Sequence, residues 1–164
     1  MAEGPSQPAL EALGISKSFG GITALDAVDF EVAPGEVHAL LGENGAGKTT
    51  LSNILAGLYR ADAGRVLVDG THCEFHTPSQ AIAAGVGMVH QHFRLVEPMT
   101  VAENIHLGWT DTPRVCARRV LAARAERFME EIGLRVDPMA YIWQLSVGEQ
   151  QRVEILRVLA RGAR

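Results

Sequence analysis

Val28, Phe30 and Val32 alternate with Asp29 and Glu31, and a period of two marks a strand with one wet face. Leu10 to Ser18 reads as an earlier strand, and the Gly20-Gly21 pair between the two signals a turn. An antiparallel sheet is therefore expected to open the chain, with Pro34-Gly35 ending it. The pattern then changes. Val37 to Leu41 is a short, mostly apolar run of the kind a buried parallel strand uses. Leu51, Ile54, Leu55 and Leu58 follow at i, i+3, i+4 and i+7, the stripe of an amphipathic helix. Short strands are expected again over Arg65 to Asp69, with Gly70 as the exit, and over Val86 to Val89.

Three capping boxes punctuate the rest. Thr77-Pro78-Ser79-Gln80 combines an N-cap, a proline at the first helical position and a returning glutamine, which predicts a helix to about Gly85. Thr100 with Glu103 opens a short helix towards Leu107, and Ser146 with Glu149 launches one whose apolar positions are Val153, Leu156 and Leu159. Between them a longer helix is expected over Arg114 to Ile132, with Leu121, Ala125, Phe128 and Ile132 on one face. Phe93 to Met99 holds no period and reads as a loop.

Composition narrows the class. At 164 residues with 47% hydrophobic content, the chain has the length of one ordinary domain and enough apolar material for a core. A net charge of −4 argues against a nucleic-acid coat, and the arginines from Arg114 onward read as solvated helix faces. Met1 to Pro8 lacks the basic start and apolar run of a signal peptide, and no stretch reaches the roughly 18 apolar residues of a membrane span, so a cytosolic protein is expected. Cys73 and Cys116 cannot build a disulfide framework. His72, Cys73 and His76 read as a loop edge, and no structural metal is expected.

The strongest chemical signal is Gly42-Glu43-Asn44-Gly45-Ala46-Gly47-Lys48-Thr49-Thr50, which fits the phosphate-loop pattern at Gly42, Gly47, Lys48 and Thr49. Backbone N–H groups wrap a phosphate chain only where no Cβ intervenes, which Gly42, Gly45 and Gly47 permit. The helix that follows offers its own N–H groups and positive dipole end. Lys48 would meet the β and γ phosphates, and the Thr49 hydroxyl would ligate Mg²⁺.

Three pieces stand in one order: this loop, Gln91 at an expected strand end, and Leu145-Ser146-Val147-Gly148-Glu149-Gln150-Gln151-Arg152. Together they resemble the ATP-binding subunit of ABC transporters, over nearly the whole chain from Leu10. Val147 and Glu149 depart from the family's most frequent Leu-Ser-Gly-Gly-Gln, and the form here looks like the branch that imports simple sugars and nucleosides. Met88 to Gly108 is similar to the nucleoside-type members. The resemblance implies an α/β P-loop NTPase fold of the ABC ATPase type, with ATP and Mg²⁺ as cofactors. Its parts would be an N-terminal antiparallel β subdomain (about 9–36), a phosphate-loop core with the Q-loop (37–99) and a helical signature subdomain (100–164), on an incomplete core sheet.

Carried onto these positions, the family implies that Phe19 stacks on adenine, although a lone Phe beside Gly-Gly would otherwise read as core. Gln91 would touch Mg²⁺ and the attacking water. Ser146 and Gly148 would contact the γ-phosphate held on a second ABC ATP-binding domain in a head-to-tail pair. Glu149, repelled by a triphosphate, is expected to fold back on the Ser146 N–H instead. Transmembrane permease subunits and a solute-binding protein would complete the assembly at the cytoplasmic face of the membrane, with no nucleic-acid partner. The family's acidic Walker B residues follow the signature helix, and Arg164 comes first. A C-terminally truncated chain is therefore expected, inactive alone and part of a hydrolase when intact. A non-transport ABC ATPase acting on nucleic acid or ribosomes, and a nucleotide-binding module without hydrolysis, stay open as alternatives.

Overall fold

The computed structural model describes residues 7–90, 93–112 and 116–164. The chain divides into two compact units, Met1–Val86 and Gly87–Arg164.

In the first unit β1 (Leu10–Phe19), β2 (Ile22–Val32), β3 (Ala63–Val68) and β4 (Thr71–Cys73) form one four-stranded sheet in the order β2-β1-β3-β4. Every pairing is antiparallel, with Leu10 opposite both Val32 and Val68. The helices α1 (Lys48–Leu55) and α2 (Pro78–Ala83) complete the unit. Ile15, Leu25, Leu51, Ile54, Val66 and Phe75 are buried together, so the α1 stripe and the inner face of the sheet share one core. The returning half of the α2 capping box forms as expected: the Gln80 side-chain oxygen accepts the N–H groups of His76 at 2.7 Å and Thr77 at 3.2 Å, while the Gln80 N–H donates to the Thr77 carbonyl and not to its hydroxyl.

The opening sheet agrees with the alternation in the sequence, and β2 starts earlier than Val28. The β3–β4 hairpin was not anticipated, though its signal is present: Asp69-Gly70 is a two-residue turn with φ 48° and 69°. Both angles are positive, as the type I′ turn that matches strand twist requires. His72 and Cys73 thus belong to a strand.

Three expectations are corrected. Val37–Leu41 and Val86–Val89 form no strand, and Val37 is 98% and Leu41 88% exposed. An apolar run becomes a parallel strand only with strands beside it and helices over both faces, and none of the four strands pairs with either segment. The α1 helix stops at Leu55, leaving Leu58 outside it and partly exposed.

In the second unit α3 (Val101–His106) lies against both α4 (Arg118–Ile132) and α5 (Val147–Ala160). Val101, Ile105, Ala125, Met129, Val153 and Leu156 form its core. The buried line of α4 is Ala122, Ala125 and Met129, while Ile132 is 40% exposed. Leu121 and Phe128 of the predicted stripe pack against this core around buried Ala125, Ile132 does not, and Ala122 and Met129 join the buried line. The segment 138–142 returns beside the start of α3, where Val101 N–H donates to the Ala140 carbonyl and Ile142 N–H to that of Met99. Thr100 caps α3: its hydroxyl accepts the Glu103 N–H at 3.3 Å, and the Glu103 carboxylate accepts the Thr100 N–H at 2.8 Å. That N–H, with the Thr100 hydroxyl and the Arg118 charge, lowers the Glu103 pKa despite partial burial. No helix among the described residues is long and apolar enough to cross a membrane.

Candidate nucleotide site

The loop from Gly42 to Gly47 joins an extended segment to α1. Gly47 adopts φ 88° at the helix N-cap, and a Cβ there would sit 2.6 Å from the Ala24 carbonyl oxygen and from Leu25 Cδ2. Only glycine allows both that backbone angle and this approach to β2, and the contact fixes where α1 begins. Gly45 needs a left-handed angle as well, φ 91°. Ala46 N–H donates to the Glu43 carbonyl at 3.2 Å and closes the turn that includes Asn44.

The Lys48 ammonium lies in the curl of the loop and donates to the carbonyls of Gly42 at 2.6 Å and Glu43 at 2.7 Å. The first turn of α1 has no side-chain cap and no acidic residue. Its leading N–H groups have no carbonyl one turn earlier to bond. Residues 42–46 and Thr49 are exposed, and Thr50 is half-buried. Ser52 is spent locally, its hydroxyl donating to the Lys48 carbonyl at 3.0 Å. A cation, a helix N-terminus and a hydroxyl on an open glycine loop form a donor set for a polyphosphate with its metal.

Phe19 ends β1 with 42% of its surface exposed, so the core reading of this residue is not what the fold does. Its ring meets Tyr59 edge-on at 5.4 Å between centroids, and Lys17 Nζ stands 5.4 Å from the ring centre. Asp62 ties this corner together, accepting from Lys17 Nζ at 2.6 Å and from Ser18 N–H at 2.8 Å. Those two contacts, led by Lys17, lower the Asp62 pKa. Lys17, Tyr59 and Asp62 were missed in the sequence, because a partner 44 residues away leaves no periodic trace.

The signature residues belong to the second unit. Ser146 is the N-cap of α5, and Ser146, Val147 and Gly148 are exposed. Glu149 folds back as expected: its carboxylate accepts the Ser146 hydroxyl at 2.7 Å and the Ser146 N–H at 2.9 Å. These bonds, the hydroxyl first, lower its pKa. The carboxylate is thereby turned onto its own helix start. Gln91 lies outside the described residues.

The sequence matches the ABC transporter family over residues 25–164. The chain belongs to the ABC transporter family. Among curated relatives, a ribose import ATP-binding protein of Rubrobacter xylanophilus is 48% identical over 161 residues, 96% of this chain and 32% of that protein. A guanosine import ATP-binding protein of Bacillus subtilis is 48% identical over 158 residues, 94% of this chain and 30% of its own. A nucleoside import ATP-binding protein of Lactococcus lactis is 46% identical over 163 residues, 96% of this chain and 31% of its own length. The chain thus spans about a third of the relatives it matches. The crystal structure of a nucleotide-free ATP-binding cassette from an ABC transporter superposes with a TM-score of 0.81 at 27% identity, over 95% of this chain and 66% of that one. The P-loop ABC ATPase fold, with its antiparallel sheet and helical part, is shared with that cassette.

Proposed function

We propose that this chain is the ATP-binding part of an importer for a sugar or nucleoside, and that the whole protein couples ATP hydrolysis to uptake through a membrane permease. The observation that carries the proposal is the Lys48 ammonium, set in a glycine loop that runs into the uncapped N-terminus of α1 in an ABC chain. The import proteins it resembles support the solute class. The partition near residues 36 and 99, a head-to-tail partner domain and a solute-binding protein belong to the same proposal, as does attachment to the cytoplasmic membrane face.

Gly42, Glu43, Asn44, Gly45 and Gly47 offer backbone N–H groups to the phosphates, Ala46 would add its own on leaving the Glu43 carbonyl, and Lys48 would neutralise charge on the transferring group. Thr49 would supply a hydroxyl to Mg²⁺, Thr50 a further N–H in the first helical turn, and Gln91 would contact the metal and water. Bound Mg²⁺ would draw charge from the phosphate oxygens. Phe19 offers an exposed ring face to adenine. Ser146 and Gly148 present the N-terminus of α5 to the nucleotide of the partner domain.

The experiment is nucleotide binding and turnover by the whole protein. ATP binding that vanishes in Lys48→Ala is expected, with hydrolysis that depends on Mg²⁺ and rises with the permease. Equal binding and turnover in Lys48→Ala would overturn the assignment.

A further inference from the structure

Residues Arg94 to Val96 have no regular secondary structure, yet the backbone N–H and C=O of both Arg94 and Val96 are hydrogen-bonded. The partners are side chains. Val96 N–H donates to Asn104 Oδ1 at 2.8 Å, and Asn104 Nδ2 donates to the Val96 carbonyl at 3.1 Å. Two residues earlier, Arg94 N–H donates to Glu154 Oε1 at 2.6 Å, and Arg157 Nη1 donates to the Arg94 carbonyl at 2.6 Å. Glu154 and Arg157 also bind each other, Arg157 Nη2 lying 3.0 Å and 2.9 Å from the two carboxylate oxygens. Leu95, between the clamped residues, packs against the helical core. Asn104 belongs to α3, and Glu154 and Arg157 to α5.

The pair is costly to keep. The Glu154 side chain is 1% and that of Arg157 11% exposed. Burying two charges carries a desolvation cost that pairing must offset, and apolar residues of similar size often fill such a place without loss. Stability alone is therefore a poor reason for a carboxylate and a guanidinium on the core side of α5. What an apolar pair cannot do is grip both the N–H and the C=O of one irregular residue. The fork of Arg157 reaches Glu154 and the Arg94 carbonyl at once, a geometry that lysine does not reproduce. Ser146 lies on the same helix as Glu154, about 12 Å away at the helical rise.

We propose that Glu154, acting through Arg157, is a positioning residue that joins the strap Arg94–Val96 to the signature helix, so that strap and Ser146 move as one body. The position of the strap is then passed along α5 to the serine proposed to meet the nucleotide of the partner domain. The inference rests on the proposed function, because it needs Ser146 to act on that nucleotide.

The test uses the whole protein, reconstituted with its permease in liposomes, and the variants Glu154→Gln and Arg157→Lys. Glu154→Gln strands the Arg157 charge and can unfold the helical unit. Arg157→Lys keeps the ion pair and loses the grip on the Arg94 carbonyl, so it provides the reading in a folded protein. Thermal midpoint, amide exchange at Arg94, ATP affinity and permease-stimulated turnover are measured on each. In Arg157→Lys, ATP affinity is expected within roughly twofold of the parent, the size of an ordinary distant effect. Permease stimulation should fall about fivefold or more, the lower bound of an allosteric coupling. Wherever Glu154→Gln stays folded, Arg94 amide exchange should rise about tenfold, the equivalent of one lost charge-assisted bond. Full stimulation in Arg157→Lys would overturn the inference, as would unchanged Arg94 exchange in a folded Glu154→Gln. Absence of ATP turnover in the unsubstituted protein is a different result: it overturns the proposed function, and the inference falls with it.

Discussion

Asn104→Ala offers a sharp measure of how the strap is held. Asn104 is fully buried, and its side chain makes three bonds: with Val96 N–H at 2.8 Å, the Val96 carbonyl at 3.1 Å and the Thr100 carbonyl at 3.0 Å. The Thr100 carbonyl keeps the Asn104 backbone N–H at 3.0 Å, so its loss is small. The Val96 N–H loses its acceptor, while the Val96 carbonyl loses one of two donors and keeps the Met99 N–H at 3.0 Å. At a net of about 1 kcal/mol for each bond, and somewhat more for an orphaned donor, the helical unit should be destabilised by about 2–3 kcal/mol. For a unit of this length that is a fall in Tm on the order of 10–20 °C. The assay is intrinsic fluorescence, because both tryptophans, Trp109 and Trp143, lie in Gly87–Arg164 and report on that unit alone. Asn104→Leu should fall nearly as far, since it fills the space and leaves the Val96 N–H unpaired. A midpoint within about 3 °C of the parent in both variants would show that water replaces the clamp at no cost, and the reasoning would fail.

Phe19→Ala should weaken ATP binding by about 1–3 kcal/mol, the worth of a base stacked on an aromatic ring, and calorimetric affinities within error of the parent would refute the stack. His106 is buried beside Trp109, and burial is the first cause of its lowered pKa, with the Arg124 charge adding to it. The unfolded chain then binds a proton that the folded one refuses, so stability is full above the ordinary value of 6.5 and is lost as pH falls below it; tryptophan-detected melts from pH 7.5 to about 5 should show this fall, and His106→Phe should flatten it. The chain Met1–Arg164 should release no more phosphate from ATP than its Lys48→Ala variant: Glu154 is engaged by Arg94 and Arg157, and Asp137 accepts the Met139 N–H at 2.9 Å. Release above that control would show that another carboxylate of the chain serves the reaction.

Local chemistry was legible in the one-dimensional pattern. The phosphate loop depends on glycines and a lysine at fixed spacing, and the structure places them in one continuous turn because loop and helix start are neighbours in sequence. In all three capping boxes the Glu or Gln side chain returns to the helix start for the same reason: an N-cap and the residue three positions on meet within a single helical turn. Alternation over Val28 to Val32 found the end of β2, whose one wet face writes a period of two.

What needed the tertiary structure were properties that depend on distant neighbours. Val37–Leu41 has the composition of a buried strand, but a strand exists only through hydrogen bonds to another, and composition cannot supply the partner. Glu154 stands within the expected helix next to Val153, and no local pattern shows that Arg94, 60 residues earlier, brings its backbone N–H to it. Lys17 and Asp62 likewise meet only once β1 lies beside β3. The sequence by itself determined the chemistry that neighbouring residues make together. Only the fold decided which charges are buried and which backbone groups they hold, since burial and pairing are set by chain segments that no local period records.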